Sequence, residues 1–218
     1  MEQDVGGLGS DVPPTLSADR VVLLLVDLQN DFLHPDGASG RLGRLAPDIR
    51  DVLAPLKDFV GVRRDQGIPV VYTRRFMRPG EATTSTAALA EQRHTYCLPG
   101  SWGADIVDDL PPEPGDLVVD KPGASAFLRT SLTKHLRNLG RSHVLVAGVT
   151  LEVCVESTVR DAQDLGFSPV LLRDLTWPNR GAQAEATHAR LERHFCAVVE
   201  AVDVDRQLAG QATPATSQ

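Results

Sequence analysis

Cysteine is scarce in this chain: Cys97, Cys154 and Cys196 are the only three in 218 residues, and none forms a CxxC pair. An odd, scattered set argues against a disulfide scaffold and for a reducing compartment, so a cytoplasmic protein is expected. Long hydrophobic runs are missing too. The longest, Val21–Val26, falls far short of the about 20 apolar residues that cross a bilayer. No basic, apolar leader stands before it; the first 19 residues are polar and carry Gly and Pro. Positive charge is in deficit, and a net charge of -7 argues against nucleic acid or an anionic membrane as partner. Paired metal-ligand spacing is also lacking. His188 and His194 stand six apart, not four, and Gly6, Gly7 and Gly9 follow no strand that would make them a phosphate loop.

What is present is an ordinary globular composition, 42% hydrophobic and 23% charged, in a length that suits one large domain. Residues 1–19 read as a flexible arm, 20–205 as the folded domain and 206–218 as a flexible tail. Six short, β-branched apolar runs punctuate the domain: Val21–Val26, Pro69–Tyr72, Leu117–Val119, Val144–Ala147, Pro169–Leu172 and Ala197–Val199. Nearly continuous runs of this length suit strands covered on both faces. Between them lie helical spacings. One runs from Ile49 to Val60, a second from Phe127 to Leu139, a third from Val155 to Leu165 and a fourth from Ala182 to Phe195. Alternating strands and helices predict an α/β fold with a doubly wound, six-stranded parallel sheet and helices on both faces. The long segment from Arg74 to Gly115 reads as an insertion over the ligand-binding end of that sheet, placed to act as a lid.

Three residues close predicted strands with chemistry in their side chains. Asp27 ends the first run in VVLLLVDLQNDF, between Leu25 and Leu28, where desolvation would make its carboxylate a better base. Lys121 ends the third, ahead of Pro122. Cys154 follows the fourth strand, where Gly148 gives way to a helix whose first turn favours a thiolate. Alone, each has a plain alternative: a turn cap, a solvated lysine, a small buried hydrophobe. Together they would meet at one sheet edge. A carboxylate, a cation and a thiol are the minimum set for acyl transfer from an amide.

The motifs Asp27-Leu-Gln-Asn-Asp-Phe32, Lys121-Pro122 and Gly148-Val-Thr-Leu-Glu-Val-Cys154-Val155 resemble the isochorismatase-like cysteine hydrolases over about residues 20–200. The resemblance implies a catalytic triad of Cys154, Asp27 and Lys121. It also implies a cis peptide at Val149–Thr150 that aims the N–H groups of Thr150 and Cys154 at one oxyanion. Relatives that hydrolyse isochorismate usually carry glycine at the place of Cys154, so the cysteine favours amide or carbamoyl hydrolysis. At the metal-ligand positions of the nicotinamidase branch this chain aligns Arg75, Met77 and Tyr96, which supply neither carboxylate nor imidazole, so no metal and no cofactor is expected. The run Cys154–Asp161 is most similar to the ureidoacrylate and biuret amidohydrolase branch.

The expectation is a hydrolase that cleaves a C–N bond of a small amide or ureido compound through a thioester, working as a homodimer or homotetramer. The alternatives are an isochorismatase-type vinyl-ether hydrolase and a non-catalytic binding protein on the same fold. Phe32, Leu151 and Trp177 are expected to line the substrate pocket. Gln29 and Asp31 read as loop braces. Leu151 departs from the threonine common in relatives, which points to a more apolar or differently shaped pocket.

Overall fold

A computed structural model describes residues 15–45, 48–76, 96–178 and 180–209. Six strands, β1 (Val21–Val26), β2 (Val70–Arg75), β3 (Leu117–Lys121), β4 (His143–Val149), β5 (Ser168–Trp177) and β6 (Ala197–Val199), form one sheet. Their order is β3-β2-β1-β4-β5-β6, with every pairing parallel. The helices are α1 (Asn30–Leu33), α2 (Ala38–Arg41), α3 (Leu53–Asp65), α4 (Leu132–Asn138), α5 (Glu156–Asp164), α6 (Ala182–His194) and α7 (Ala201–Ala209).

All six residues of β1 are buried because it is a central strand with both faces covered. Val21, Leu23 and Leu25 pack in one layer with Leu53, Leu56 and Val60 of α3 and with Val204 and Leu208 of α7. Val22, Leu24 and Val26 pack in the other with Leu132 and Leu136 of α4, Val159 of α5 and Leu191 of α6. Alternation along a single strand thus feeds two cores, which is why these runs are continuously apolar.

Several boundaries differ from the sequence reading. The second helix was expected from Phe127, yet α4 starts at Leu132, because Arg129 has a positive φ of 57° that no α-helix contains. β5 runs five residues past Leu172. Its register against β4 shifts between Val146 and Gly148, and the strand continues by pairing Gly148 with Thr176 and Val149 with Trp177. The packed body also reaches further than 20–205. Leu16 is buried with its N–H donated to Gln207 Oε1 at 3.0 Å, and Leu208 is buried in the same layer. Residues 77–95 of the expected lid lie outside the described residues.

Strand order reverses between β1 and β4. In open parallel sheets that reversal leaves a crevice beyond the strands' carboxyl ends, where adjacent connections part to opposite faces.

Candidate active site

The residues that close four neighbouring strands converge on this crevice. Asp27 follows β1, Arg75 ends β2, Lys121 ends β3 and Cys154 stands five residues after β4. Asp27 leaves its strand with a φ of 53°, a left-handed turn that its short polar side chain tolerates. Its N–H donates to Thr73 Oγ1 at 3.1 Å, and the same hydroxyl donates back to Asp27 Oδ1 at 2.7 Å. One carboxylate oxygen is thereby fixed. The other, Oδ2, lies 2.8 Å from Lys121 Nζ but accepts no well-directed hydrogen bond, so it keeps a lone pair open. Both side chains of this ion pair are fully buried. A buried pair of this kind is costly unless further bonds complete it. Lys121 Nζ supplies them, donating to the carbonyls of Gly123 at 2.9 Å and Ala124 at 2.7 Å.

Cys154 is delivered by unusual backbone. Gly148 has a φ of 114°, and a Cβ there would stand 2.2 Å from Val26 O, so no larger residue fits where β4 presses on β1. The Val149–Thr150 peptide is cis. Residues Leu151–Val155 then wind as one π-helical turn, a form found often at functional sites, before α5 begins. The Cys154 carbonyl accepts from Thr158 Oγ1 at 2.6 Å. Its thiol is buried, and desolvation pushes its pKa up to about 11, with the Asp27 carboxylate adding to the rise. Lys121 and Arg75 pull the other way. At rest near neutral pH, therefore, the thiol keeps its proton while the thiol–carboxylate contact stands ready to move it.

A cavity of about 240 Å³ opens on the sulfur. Phe32 and Tyr96 stack with centroids 5.6 Å apart and form an aromatic wall. Arg44 and Arg75 bring cationic groups to the lining, and Thr150 and Val153 flank Cys154. Phe32 thus lines this cavity. Leu151 and Trp177 do not. Leu151 points into the layer beneath α5, and Trp177 packs in the opposite layer beside Val149 and walls a separate cavity with Asp48 and Arg180. Leu151 opens the π-turn, and Trp177 ends β5 beyond its register shift.

Of the three residues at metal-ligand positions, Arg75 and Tyr96 line the cavity, and Met77 lies outside the described residues. Among the described residues no cluster of three or more His, Cys, Asp or Glu could hold a metal ion, and no helix is long and apolar enough to cross a membrane. Gln29 and Asp31 act as braces. Asp31 accepts the N–H of Ala38 at 2.8 Å and of Cys97 at 2.6 Å, tying the loop of Tyr96 to α2. Arg75 is the residue that sequence reasoning passed over. It was weighed only as a metal ligand, yet its Nη1 stands 3.7 Å from Cys154 Sγ. The apolar run of β2 was read only to Tyr72, so nothing in it marked Arg75 as the residue that closes the strand.

The parallel sheet with a polar cluster at its strand ends is the architecture of an isochorismatase-like hydrolase. A family profile described as an isochorismatase domain matches residues 21–203, and the chain belongs to the isochorismatase-like hydrolase family. Ureidoacrylate amidohydrolase RutB from Enterobacter sp. (strain 638) is 30% identical over 177 residues, covering 74% of this chain and 77% of that protein. Two solved structures share the fold. A cysteine hydrolase from Pseudomonas syringae pv. phaseolicola 1448A superposes with a TM-score of 0.80 at 21% identity, over 90% of this chain and 96% of its own. An N-carbamoylsarcosine amidase from Thermoplasma acidophilum does so with a TM-score of 0.70 at 23% identity, over 84% and 96%.

Proposed function

We propose that the protein is a cysteine-dependent amidohydrolase that cleaves a C–N bond of a small amide or ureido compound through a thioester. The observation that carries this reading is the buried Cys154 thiol beside the open oxygen of the Asp27–Lys121 pair, at the floor of a cavity of small-molecule size. Kinship to a ureidoacrylate amidohydrolase supports the substrate class.

The steps follow from the side chains. Asp27 Oδ2 takes the Sγ proton as sulfur bonds to the substrate's carbonyl carbon. Backbone N–H groups of Thr150 and Cys154 receive the oxyanion, a contact worth about 3 kcal/mol per donor in the transition state. Collapse breaks the C–N bond, and Asp27 returns its proton to the departing ammonia or amine. Water then loses a proton to Asp27 as its oxygen attacks the thioester. The C–S bond breaks, and the proton returns to sulfur. Lys121 holds Asp27 in place throughout, and Phe32 walls the substrate. The reading includes a cytoplasmic homodimer or homotetramer, decided by light scattering on the purified protein.

Ammonia release from a panel of ureido acids, biuret and primary amides, run beside isochorismate turnover, tests the proposal. At least one C–N substrate should be turned over, and Cys154→Ala should abolish that turnover by about a thousandfold or more. Full activity in the alanine variant, or turnover of isochorismate alone, would overturn it.

A further inference from the structure

We propose that Arg75 is a catalytic residue, the cation that meets the negative charge on Cys154 Sγ once Asp27 has taken its proton; this rests on the cysteine-hydrolase reading above.

The reason lies in what Lys121 is already doing. Two of its N–H groups are spent on the carbonyls of Gly123 and Ala124, and its counter-ion is Asp27 Oδ2, 2.8 Å away. Its field reaches the sulfur and lowers the thiol pKa, but its hydrogen bonds and its counter-ion lie elsewhere. The charged donor that reaches the sulfur, among the described residues, is Arg75 Nη1 at 3.7 Å. That is a long contact for a neutral thiol and one that shortens when sulfur becomes anionic, since charge-assisted hydrogen bonds are shorter and stronger. Arg74, the preceding residue, behaves differently: its guanidinium is spent on Asp120, with contacts of 2.8 and 3.1 Å. Arg75 has no carboxylate partner among the described residues.

Proton transfer then exchanges one ion pair for another. Before it, the carboxylate of Asp27 faces Lys121. After it, Asp27 is neutral and the charge sits on sulfur against Arg75. A buried thiolate with no cation beside it would carry a heavy desolvation cost. The backbone around Arg75 is built to hold that alignment. Gln29 clamps it from both sides: its Oε1 accepts the Arg75 N–H at 2.7 Å, and its Nε2 donates to the Arg75 carbonyl at 2.9 Å and to Ala104 O at 2.8 Å. Gln29 is therefore a positioning residue acting through Arg75.

Alkylation of Cys154 by iodoacetamide, followed by mass spectrometry from about pH 6 to about pH 10, reads thiolate formation without any substrate. The groups that face the sulfur or act on its charge are Asp27, Lys121, Arg75 and the thiol of Cys97, and only Arg75 is changed. In Arg75→Met the profile should move up by about one pH unit, with alkylation about tenfold slower at a fixed pH, and Arg75→Lys should recover part of the rate. With a turned-over substrate, the loss should fall on kcat more than on KM. A folded Met variant with the wild-type alkylation profile and a loss confined to KM would place Arg75 on the substrate and overturn the proposal. Should Arg75→Met fail to fold, Arg75→Gln removes the charge with a polar side chain, and a wild-type alkylation profile in it would overturn the proposal equally. Failure to find any amide substrate would sink the hydrolase reading, while the alkylation profile would still report on Arg75.

Discussion

Asp27 and Lys121 were legible as candidates because each closes an apolar run with a charged group that a core does not hold unpaired, whereas Cys154 stood out only in their company. Burial then sets their behaviour. Removing one member of a hydrogen-bonded buried pair strands the other, at a cost of about 3–5 kcal/mol. Lys121→Met should therefore lower the thermal midpoint strongly as well as abolish activity, and differential scanning calorimetry checks it. The double change Lys121→Met with Asp27→Leu should recover part of that stability and none of the activity. Leu151 is the opposite case. It looked like a pocket residue because it stands where relatives carry a polar one, but it is fully buried beneath α5. Leu151→Ala should cost about 2–5 kcal/mol in denaturant unfolding and leave KM within about twofold for whatever substrate the panel identifies.

At the level of elements, strand positions were readable because a two-sided apolar run has few other uses. What escaped was sidedness at the strand ends. A register shift in β5 and a π-turn after β4 each rotate side chains relative to simple alternation, and neither leaves a mark in hydrophobic periodicity. The second helix was read too long for a related reason: Phe127 and Leu128 continue the helical spacing, but the backbone turns left-handed at Arg129. Gly148 is where an element's geometry depends on one hydrogen atom. Gly148→Ala would drive a Cβ to 2.2 Å from Val26 O, forcing β4 from β1 at the crevice. We expect a loss of about 2 kcal/mol or more in chemical denaturation and a loss of turnover larger than stability alone explains. An alanine variant with normal turnover would show that the crevice tolerates a wider gap than its geometry implies.

For the whole molecule, the scarcity of cysteine has a measurable side. Burial raises all three thiols above their usual 9.0, Cys154 to about 11, Cys196 to about 12 and Cys97 further still. Unfolded thiols ionise near 9, whereas the folded protein holds its protons. Between those values the unfolded chain binds fewer protons, so unfolding free energy falls as pH rises. The stabilising effect is complete below about pH 9, and the part due to Cys154 is lost by about pH 11. Urea midpoints should therefore drop across that interval, and Cys154→Ala should flatten the drop. A wild-type midpoint independent of pH above 9 would contradict it.

The strand-end placement of Asp27, Arg75, Lys121 and Cys154 has a consequence for how the protein comes to life. These groups come from four different strands, and the sulfur arrives only once β4 has docked on β1. No fragment stopping short of α5 can hold a working centre. On the proposed mechanism the chain stays chemically silent through synthesis until most of the sheet has closed, which would make turnover itself a sensor of completed assembly. In a refolding experiment, activity should return with the late cooperative phase of sheet closure and never with early helix formation.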